Sequence, residues 1–407
     1  MKILILHHTF WIEMLAECWR ELTGLEIITF HLPVMSWTEN PAAKFESARL
    51  LMETVKKEKP SFILDINGAG IIPFDETHKH WTASEFSVPC VEWWWDDPNN
   101  NSALFYDIHY QAWFEALTSS AMIHFFWDAV LAEEYSVWFG KKCFFAPTAV
   151  HPGAFNPDAG KLSGRKFKGS DVSFLGSCYP SPDLSREEFR ELDFLSEKRL
   201  AFPQKNYFEL MKDLSGEAPL FFKTLKASLE IPSAIFSSDT HRLRNSLNTL
   251  TGIKRRKKPL AEIMEKFKSC LIVGNGYPPS FNASTDTFFQ PLELSACYKA
   301  SVFNLDLGNA QSFTGTNMRS YEIMSCGALL VRNEKPDFDP DASLEKHVYL
   351  RFSSAGELHE LYREYSADKG KFSEICANAR QYVIENHSWL NRLAAIIPVL
   401  SEKISLK

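Results

Sequence analysis

The chain has 407 residues, of which 45% are hydrophobic and 23% charged, a composition typical of a globular protein that buries a large core. The formal net charge of −7 argues against a protein whose main task is non-specific binding to nucleic acid. No stretch approaches the roughly 18–20 apolar residues that a membrane helix needs. Eight scattered cysteines without a Cys-x-x-Cys pair favour a reduced, cytoplasmic protein.

Strands and helices alternate through the N-terminal part of the chain. Residues 11–22 and the segment RLLMETVKKEKP have the apolar spacing of amphipathic helices. The segments that predict strands are KILIL, LEIITFHLP, SFILDING, VPCVEWWWDDP, AMIHFFWD and KKCFFAPTAV. Strands separated by helix-length segments indicate parallel pairing, with helices on both faces of the sheet.

A segment rich in Pro, Gly and Lys follows residue 150 and predicts a linker. The strand pattern restarts at DVSFLGS and returns, after a mostly helical stretch, in CLIVGNG, ASVFNLDL, GALLVRN and HVYLRF. We therefore predict an α/β protein with two Rossmann-like domains facing each other across a cleft. The predicted bounds are 1–155 for the first domain, 156–390 for the second with a helical insertion near 183–265, and 391–407 for a C-terminal helix.

A run of five basic residues, 254–258, lies inside the predicted insertion. Such a run can contact a polyanion or an anionic membrane surface, but a solvated loop or helix end is its more frequent role. Both interpretations place the basic side chains at the surface.

The segment TNMRSYEIMSCGALLVRN predicts a short helix that is capped by Thr316 or Asn317 and ended by Gly327. Arg319 and Glu322 are three residues apart and so share a face of that helix. Because the flanking strands have buried patterns, the helix N-terminus should lie at a strand end, where it favours an anion such as a diphosphate. A surface ion pair worth under about 1 kcal/mol is the plainer alternative.

Four segments of the C-terminal part resemble a known family. YKASVFNLDL, TNMRSYEIMSCGALLVRN, HVYLRFSSAGEL and ANARQYVIENHSWLNRL occur in the order found in the CgeB-like group of glycosyltransferases. SFILDING and WWWDDPNN are similar to the N-terminal domain of that group. The resemblance implies the GT-B fold, a nucleotide-sugar donor on the C-terminal domain, and a glycan, protein or other hydroxyl or amide acceptor. It also implies that Glu322 hydrogen-bonds the donor ribose, beside phosphates held by Arg319.

One position departs from the family pattern. Many retaining relatives carry a Glu-x7-Glu motif, and the residue eight positions before Glu322 is Thr314. The contact of the first glutamate is therefore lost or replaced, and retention of configuration does not carry over to this chain.

Two glycine turns at strand ends are further candidates for the donor site. FLGS contains Gly176 and Ser177, and IVGNGY contains Gly274, Asn275 and Gly276. Backbone amides of such turns can approach phosphates or a base closely. Neither matches a G-x-G-x-x-G or P-loop motif, so an ordinary turn is an equal alternative for each.

Carboxylates at strand ends are candidates for a general base that deprotonates an acceptor hydroxyl. Asp96 and Asp97 follow three tryptophans, and neighbours on a strand alternate faces. At least one of the three should therefore lie at the surface or line a cleft, where an indole can stack on a sugar ring. Asp128 and His7 end other predicted strands. The alternative for Asp96 and Asp97 is a turn or cap before the following proline, and Asp96 is the favoured base.

We predict a metal-independent glycosyltransferase that needs no cofactor besides its nucleotide-sugar substrate, because no cluster of metal ligands stands out. The alternatives are a sugar-nucleotide epimerase of the same fold and a degenerate relative that only binds a glycan or a partner protein.

Overall fold

The computed structural model describes residues 2–7, 10–33, 40–99, 106–178, 181–214, 216–285, 290–333 and 344–404. Its strands form two sheets, one of six strands in the order β2-β1-β3-β4-β5-β6 and one of five in the order β11-β10-β9-β7-β8. The first sheet consists of β1 (Lys2–His7), β2 (Glu26–His31), β3 (Phe62–Ile66), β4 (Cys90–Trp94), β5 (Met122–Phe126) and β6 (Phe144–Phe145). The second consists of β7 (Ser170–Leu175), β8 (Cys270–Val273), β9 (Ser301–Asp306), β10 (Leu330–Asn333) and β11 (Leu350–Phe352). Every strand pair is parallel, as predicted.

Helices connect the strands of both sheets. The helices that lie between strands of the first sheet in the chain are α1 (Phe10–Thr23), α2 (Pro41–Glu58), α3 (Thr82–Glu85), α4 (Tyr106–Thr118) and α5 (Ala129–Phe139). The predicted helical insertion contains α6 (Arg186–Ala201), α7 (Tyr207–Leu214), α8 (Pro219–Glu230) and α9 (Ser238–Lys266). The remainder are α10 (Pro291–Ala300), α11 (Met318–Ser325), α12 (Ala355–Ala367), α13 (Lys369–Asn386) and α14 (Trp389–Lys403). None of the described helices is long and apolar enough to cross a membrane.

The insertion packs against the first sheet, although it follows the first strand of the second sheet in sequence. Leu195, Phe222 and Phe236 share one buried cluster with Leu4 and Trp94 of the first sheet. The burial of these large apolar side chains makes the insertion part of the core that covers one face of that sheet. The opposite face is covered by α1 and by α14, whose apolar side chains pack into a second cluster.

Helix α9 reaches both cores. Leu243 and Leu247 of its first half belong to the cluster of the first sheet. Leu260 and Ile263 of its second half belong to the cluster of the second sheet. A single helix of 29 residues therefore links the two halves of the molecule.

The basic run lies in the middle of α9, and two of its arginines are buried. The Arg255 Nη1 donates to the carbonyl oxygens of Asn309 at 2.6 Å and Ser312 at 2.7 Å. The Arg256 guanidinium donates to the carbonyl oxygen of Gly308, 3.0 Å from its Nε. The prediction of a surface role is wrong for these two residues, because carbonyl oxygens of the segment that follows β9 compensate their buried donors.

A buried ion cluster ties α9 to the first sheet. The Arg244 Nη2 lies 2.8 Å from the Asp97 Oδ2, and its Nη1 contacts Glu134 of α5. All three side chains are almost fully buried, with Arg244 and Glu134 at 0% exposure. Because a buried charge is stabilised only by its partners, these contacts fix α9 against the end of β4.

We expect Arg244→Met to lower the free energy of unfolding by about 3–5 kcal/mol, because two buried carboxylates lose their counterion. Denaturant unfolding followed by circular dichroism measures the change. Arg242→Met is the matched control on the same helix, since Arg242 pairs with Glu188 and is 46% exposed. That variant should lose less than about 1 kcal/mol. Equal losses in the two variants would contradict a structural role for the buried cluster.

Candidate active site

A cavity of about 340 Å³ lies where carboxyl ends of strands from both sheets meet. This is the place where open parallel sheets bind their ligands. The first half of the chain contributes Trp11 of α1 and Asp96, which follows β4. The second half contributes residues at strand ends, in turns, in the segment after β9 and in helices. They are Leu175, Gly176, Ser177, Arg256, Val273, Gly274, Leu294, Tyr298, Asn309, Gln311, Asn317, Met318, Arg319 and Glu322.

The two glycine turns pack on each other at one wall of the cavity. Gly274 has φ +148°, and a Cβ there would lie 2.4 Å from the Gly176 carbonyl oxygen. Glycine at 274 therefore permits a backbone approach that no other residue allows. The Asn275 N–H donates to the Ser177 Oγ at 3.2 Å. Gly176, Ser177 and Gly274 line the cavity, whereas Asn275 and Gly276 are exposed and lie outside it.

Helix α11 points its N-terminus into the cavity. The Asn317 Oδ1 caps the helix by accepting from the Arg319 N–H at 3.1 Å, and Gly327 has φ +63° just beyond the helix end. Both boundary predictions are confirmed. Arg319 and Glu322 line the cavity together, as their spacing predicts. The helix thus directs its positive dipole end and one arginine to the same space.

Arg319 carries a buried donor that lacks an acceptor. Among the described residues its Nη1 has no hydrogen-bond partner. A Cβ on Gly176 would lie 3.4 Å from this nitrogen, so the guanidinium faces the glycine turn. Leaving a charged donor buried and unsatisfied is costly, and an anion in the cavity would remove that cost.

Glu322 is buried beside a tyrosine that the sequence analysis did not single out. Its side chain is 5% exposed, and its Oε2 accepts a hydrogen bond from the Tyr298 Oη at 2.7 Å. Burial raises the pKa of Glu322, and the hydrogen bond from Tyr298 and the charge of Arg319 offset part of this effect. Tyr298 thereby fixes the carboxyl group at the cavity wall.

Asp96 is the acidic residue that the first sheet places in the cavity. It is half-buried, and its Oδ2 accepts from the Asn67 Nδ2 at 3.0 Å. Burial raises the pKa of Asp96 to about 6, outweighing the hydrogen bonds from Asn67 and Gln311 that lower it. Asn67 holds a left-handed turn with φ +57° and also accepts from the Asp96 N–H at 3.1 Å.

Asp97 points away from the cavity, into the ion cluster with Arg244. Burial acts to raise its pKa, but the charge of Arg244 and hydrogen bonds from Tyr135 and Arg244 prevail, so the pKa of Asp97 is lowered. Its carboxylate therefore stays ionised and paired. This environment suits a structural anion, not a base that exchanges protons.

Asp128 is also absent from the cavity lining. Its Oδ1 caps α5 by accepting from the Val130 N–H at 3.0 Å and the Leu131 N–H at 3.1 Å. Its Oδ2 accepts from three successive amides of the segment after β9, those of residues 313, 314 and 315, at 2.8, 2.8 and 2.7 Å. His7 ends β1, but its side chain lies outside what the structure describes.

The three consecutive tryptophans 93–95 pack in the hydrophobic core. Trp93 and Trp94 are buried in clusters on opposite faces of the first sheet, and Trp95 stacks on Trp389 with ring centroids 5.3 Å apart. None of the three lines the cavity, so the expected stacking platform is not at this run. The indole at the cavity belongs to Trp11.

Sequence reasoning missed several residues of the cavity wall. Trp11 and Gln311 follow strand ends, and the strand-end rule applied to every strand would have flagged them. Tyr298 lies inside a helix and Arg256 inside a charge run, and neither carries such a signal. Within the described residues, no group of three or more His, Cys, Asp or Glu side chains is arranged to hold a metal ion.

Comparison with known proteins identifies the fold. Residues 255–398 match the family model described as "Glycosyl transferase-like". Sucrose-phosphate synthase from Thermosynechococcus elongatus is 11% identical, with 100% of each chain covered and a TM-score of 0.51. The fold is GT-B, as predicted. No curated protein matches the sequence.

Two further solved structures with lower TM-scores cover nearly the whole chain. An α,α-trehalose-phosphate synthase (UDP-forming) from Burkholderia vietnamiensis is 10% identical, with 98% of this chain and 99% of that chain covered and a TM-score of 0.47. The Anabaena protein HepE in complex with UDP-glucose is 11% identical, with 99% and 100% covered and a TM-score of 0.45. The CgeB-like subgroup stays a prediction.

The opposite pKa shifts of the neighbouring aspartates predict opposite stability changes. Asp96→Asn should raise the free energy of unfolding at pH 8 by about 1–2 kcal/mol, because the raised pKa of Asp96 means that its ionised form destabilises the folded state, and one mismatched hydrogen bond in the variant offsets only part of the gain. The advantage should vanish as the pH falls from about 6 to about 4, where wild-type Asp96 becomes protonated.

Asp97→Asn is the matched comparison. It should destabilise the protein at pH 8, and its deficit should shrink at acidic pH, where wild-type Asp97 also loses its charge. Urea unfolding of both variants between about pH 2 and pH 8 measures the two trends, because the deficit of Asp97→Asn shrinks only below about pH 4. Parallel trends in the two variants would contradict the different environments assigned to these residues.

Proposed function

We propose that the protein is a glycosyltransferase that transfers a sugar from a nucleotide-sugar donor to a hydroxyl or amide of a glycan or protein acceptor. The observation that carries this proposal is the buried Arg319 Nη1 at the N-terminus of α11, which has no hydrogen-bond partner in the part of the chain that the structure describes and lies beside a turn that contains glycines. A nucleoside diphosphate supplies the acceptor oxygens that this donor and helix end favour. The match of residues 255–398 to a glycosyl transferase-like family supports the same assignment.

The donor would lie along the wall formed by the second sheet. Its diphosphate would face Arg319 and the α11 N-terminus, close to Gly176 and Gly274, and its ribose hydroxyls would donate to Glu322. The cavity volume of about 340 Å³ is within the range of small-molecule sites. Arginine and the helix dipole would neutralise the leaving diphosphate, so we infer that no metal ion or other cofactor is required.

Asp96 would act on the acceptor from the opposite wall. Its carboxylate would take the proton of the acceptor hydroxyl while the oxygen forms a bond to the anomeric carbon, and the bond from that carbon to the diphosphate oxygen would break. A pKa of about 6 leaves the group mostly ionised at neutral pH yet basic enough to accept a proton. The predicted cytoplasmic location stays a prediction.

The direct test is a screen of nucleotide sugars for release of nucleoside diphosphate, with and without mixed acceptors. We expect turnover that persists in EDTA and falls by about 10²–10⁴-fold in Asp96→Asn, the usual share of general-base catalysis. Donor affinity of that variant should stay close to the wild-type value, because the donor contacts belong to the other wall. Conversion of the sugar without any acceptor would instead identify an epimerase, and binding without turnover a degenerate relative.

The donor side of the proposal depends on Glu322. Glu322→Ala should weaken binding of the nucleoside diphosphate by about ten- to hundredfold, since hydrogen bonds to a charged acceptor contribute about 1.5–3 kcal/mol. Isothermal titration calorimetry measures the affinity, and circular dichroism checks that the fold is kept. Glu357→Ala is the control, because Glu357 pairs with Ser353 at the surface, away from the cavity. Unchanged affinity in Glu322→Ala would move the ribose site elsewhere.

A further inference from the structure

Asn67, in the turn that follows β3, holds Asp96 by three hydrogen bonds. Its Nδ2 donates to the Asp96 Oδ2 at 3.0 Å. Its Oδ1 accepts from the Trp95 N–H at 2.7 Å and from the Asp96 N–H at 3.1 Å. Asp96 lines the cavity, whereas Asn67 does not. A side chain outside the cavity lining therefore contacts both the backbone and the carboxylate of Asp96.

The two backbone contacts determine which way the Asn67 amide points. A backbone N–H can only donate, so the atom that it meets must be the amide oxygen. The nitrogen end of the amide then faces the Asp96 carboxylate, which accepts only while it is ionised. A flipped amide would place its NH2 group against two N–H donors and its oxygen against the carboxylate. The donor to Asp96 is thus fixed by the backbone of residues 95 and 96.

The backbone of the turn restricts which residue can occupy position 67. Asn67 has φ +57° and Gly68 has φ +69°. Asparagine adopts this left-handed conformation more readily than most residues other than glycine. Aspartate also tolerates it but carries no donor when ionised, and glycine carries neither a donor nor an acceptor. Asparagine therefore combines the backbone conformation of the turn with both side-chain groups that Asp96 and its neighbour use.

Two buried carboxyl groups anchor the same turn. The Asp65 Oδ2 accepts from the Gly70 N–H at 2.7 Å, and the Glu92 Oε1 accepts from the Gly68 N–H at 2.7 Å. Asp65 and Glu92 are both at 0% exposure. Because buried acceptors keep their donors, the turn is fixed against β3 and β4, and Asn67 has little freedom to leave Asp96.

We propose that Asn67 is a positioning residue that orients the carboxylate of Asp96 for its role as the base. A hydrogen bond donated to a carboxylate stabilises the charged form, which is the form that can take a proton from an acceptor hydroxyl. The inference rests on the proposed function for the role of Asp96, but the effect of Asn67 on that carboxylate can be tested without activity.

The charged groups around Asp96 stay in the chain when Asn67 is replaced. Burial raises the pKa of Asp96, and the charge of the adjacent Asp97 raises it further, whereas the hydrogen bond from Asn67 lowers it. Arg256, Arg319 and Glu322 line the same cavity from the second half of the chain. Loss of the Asn67 donor alone should therefore raise the pKa of Asp96.

The experiment compares two substitutions of Asn67. Asn67→Gly permits the left-handed backbone but removes the donor and the acceptor, whereas Asn67→Asp keeps an acceptor for the two N–H groups and replaces the donor by a second carboxyl. We expect both variants to move the acidic limb of the kcat/KM profile to higher pH, by about half a unit or more. The larger shift should occur in Asn67→Asp, because two adjacent carboxyls share a proton. Affinity for the nucleoside diphosphate should stay close to the wild-type value in both.

Asn282→Asp is the matched control. Asn282 also has a left-handed backbone, with φ +44°, but it is exposed and does not line the cavity. This variant should keep the wild-type pH profile. A wild-type profile in Asn67→Asp would overturn the proposal, and so would an equal acidic shift in Asn282→Asp. Should Asn67→Asp fail to fold, the profile of Asn67→Gly decides in the same way.

A second readout separates this inference from the proposed function. The carboxyl carbon of Asp96 can be titrated by NMR after selective ¹³C labelling of aspartate, with Asp96→Asn used for assignment. A higher pKa in Asn67→Gly than in the wild type supports the action of Asn67 on Asp96 even if no sugar transfer is found, a result that would count against the proposed function alone. An unchanged pKa overturns the positioning role even if the enzyme is active.

Discussion

The buried Asp128 carboxylate is the contact on which the arrangement of the cavity depends. Its Oδ1 caps α5, which follows β5 of the first sheet. Its Oδ2 accepts from three successive amides in the segment that follows β9 of the second sheet. A fully buried carboxylate cannot lose these donors without a large desolvation cost. Carbonyl oxygens of the same segment accept hydrogen bonds from Arg199, Arg255 and Arg256. The segment is therefore held rigidly between the two sheets.

The rigid segment after β9 limits which of its groups can hydrogen-bond a sugar. The amides of residues 313–315 already donate to Asp128, so they are not free to donate to a ligand. The N–H of Thr314, eight residues before Glu322, belongs to this set. Polar recognition near the sugar would then come from side chains that line the cavity, Asn309, Gln311 and Asp96. The proposed donor site thus lies on the second sheet of the GT-B fold.

The adjacent residues Asp96 and Asp97 have different surroundings, which shift the pKa values of their carboxyl groups in opposite directions. Asp96 and Asp97 have the same side chain and follow the same strand. Asp97 meets the buried Arg244, which keeps it ionised, whereas Asp96 meets neutral amides in a half-buried cavity, and its pKa rises to about 6. The backbone bends directly after β4, and the two side chains leave it toward different surroundings. One therefore becomes part of the core, and the other faces the space where an acceptor would bind.

The sequence by itself determined the strands, the parallel pairing and the bounds of α11, because apolar periodicity, Asn317 and Gly327 act over a few neighbouring residues. The GT-B fold was implied by the resemblance of segments of the chain to a known family. The sequence also placed Gly176 and Gly274 at strand ends, and Arg319 and Glu322 on one face of α11. Only the tertiary structure decided that Arg255 and Arg256 are buried, that Asp128 binds amides far along the chain, and that Gln311 accepts from the Asp97 N–H. These contacts join residues from 52 to 214 positions apart, and local patterning carries no signal for which distant partner compensates a buried charge.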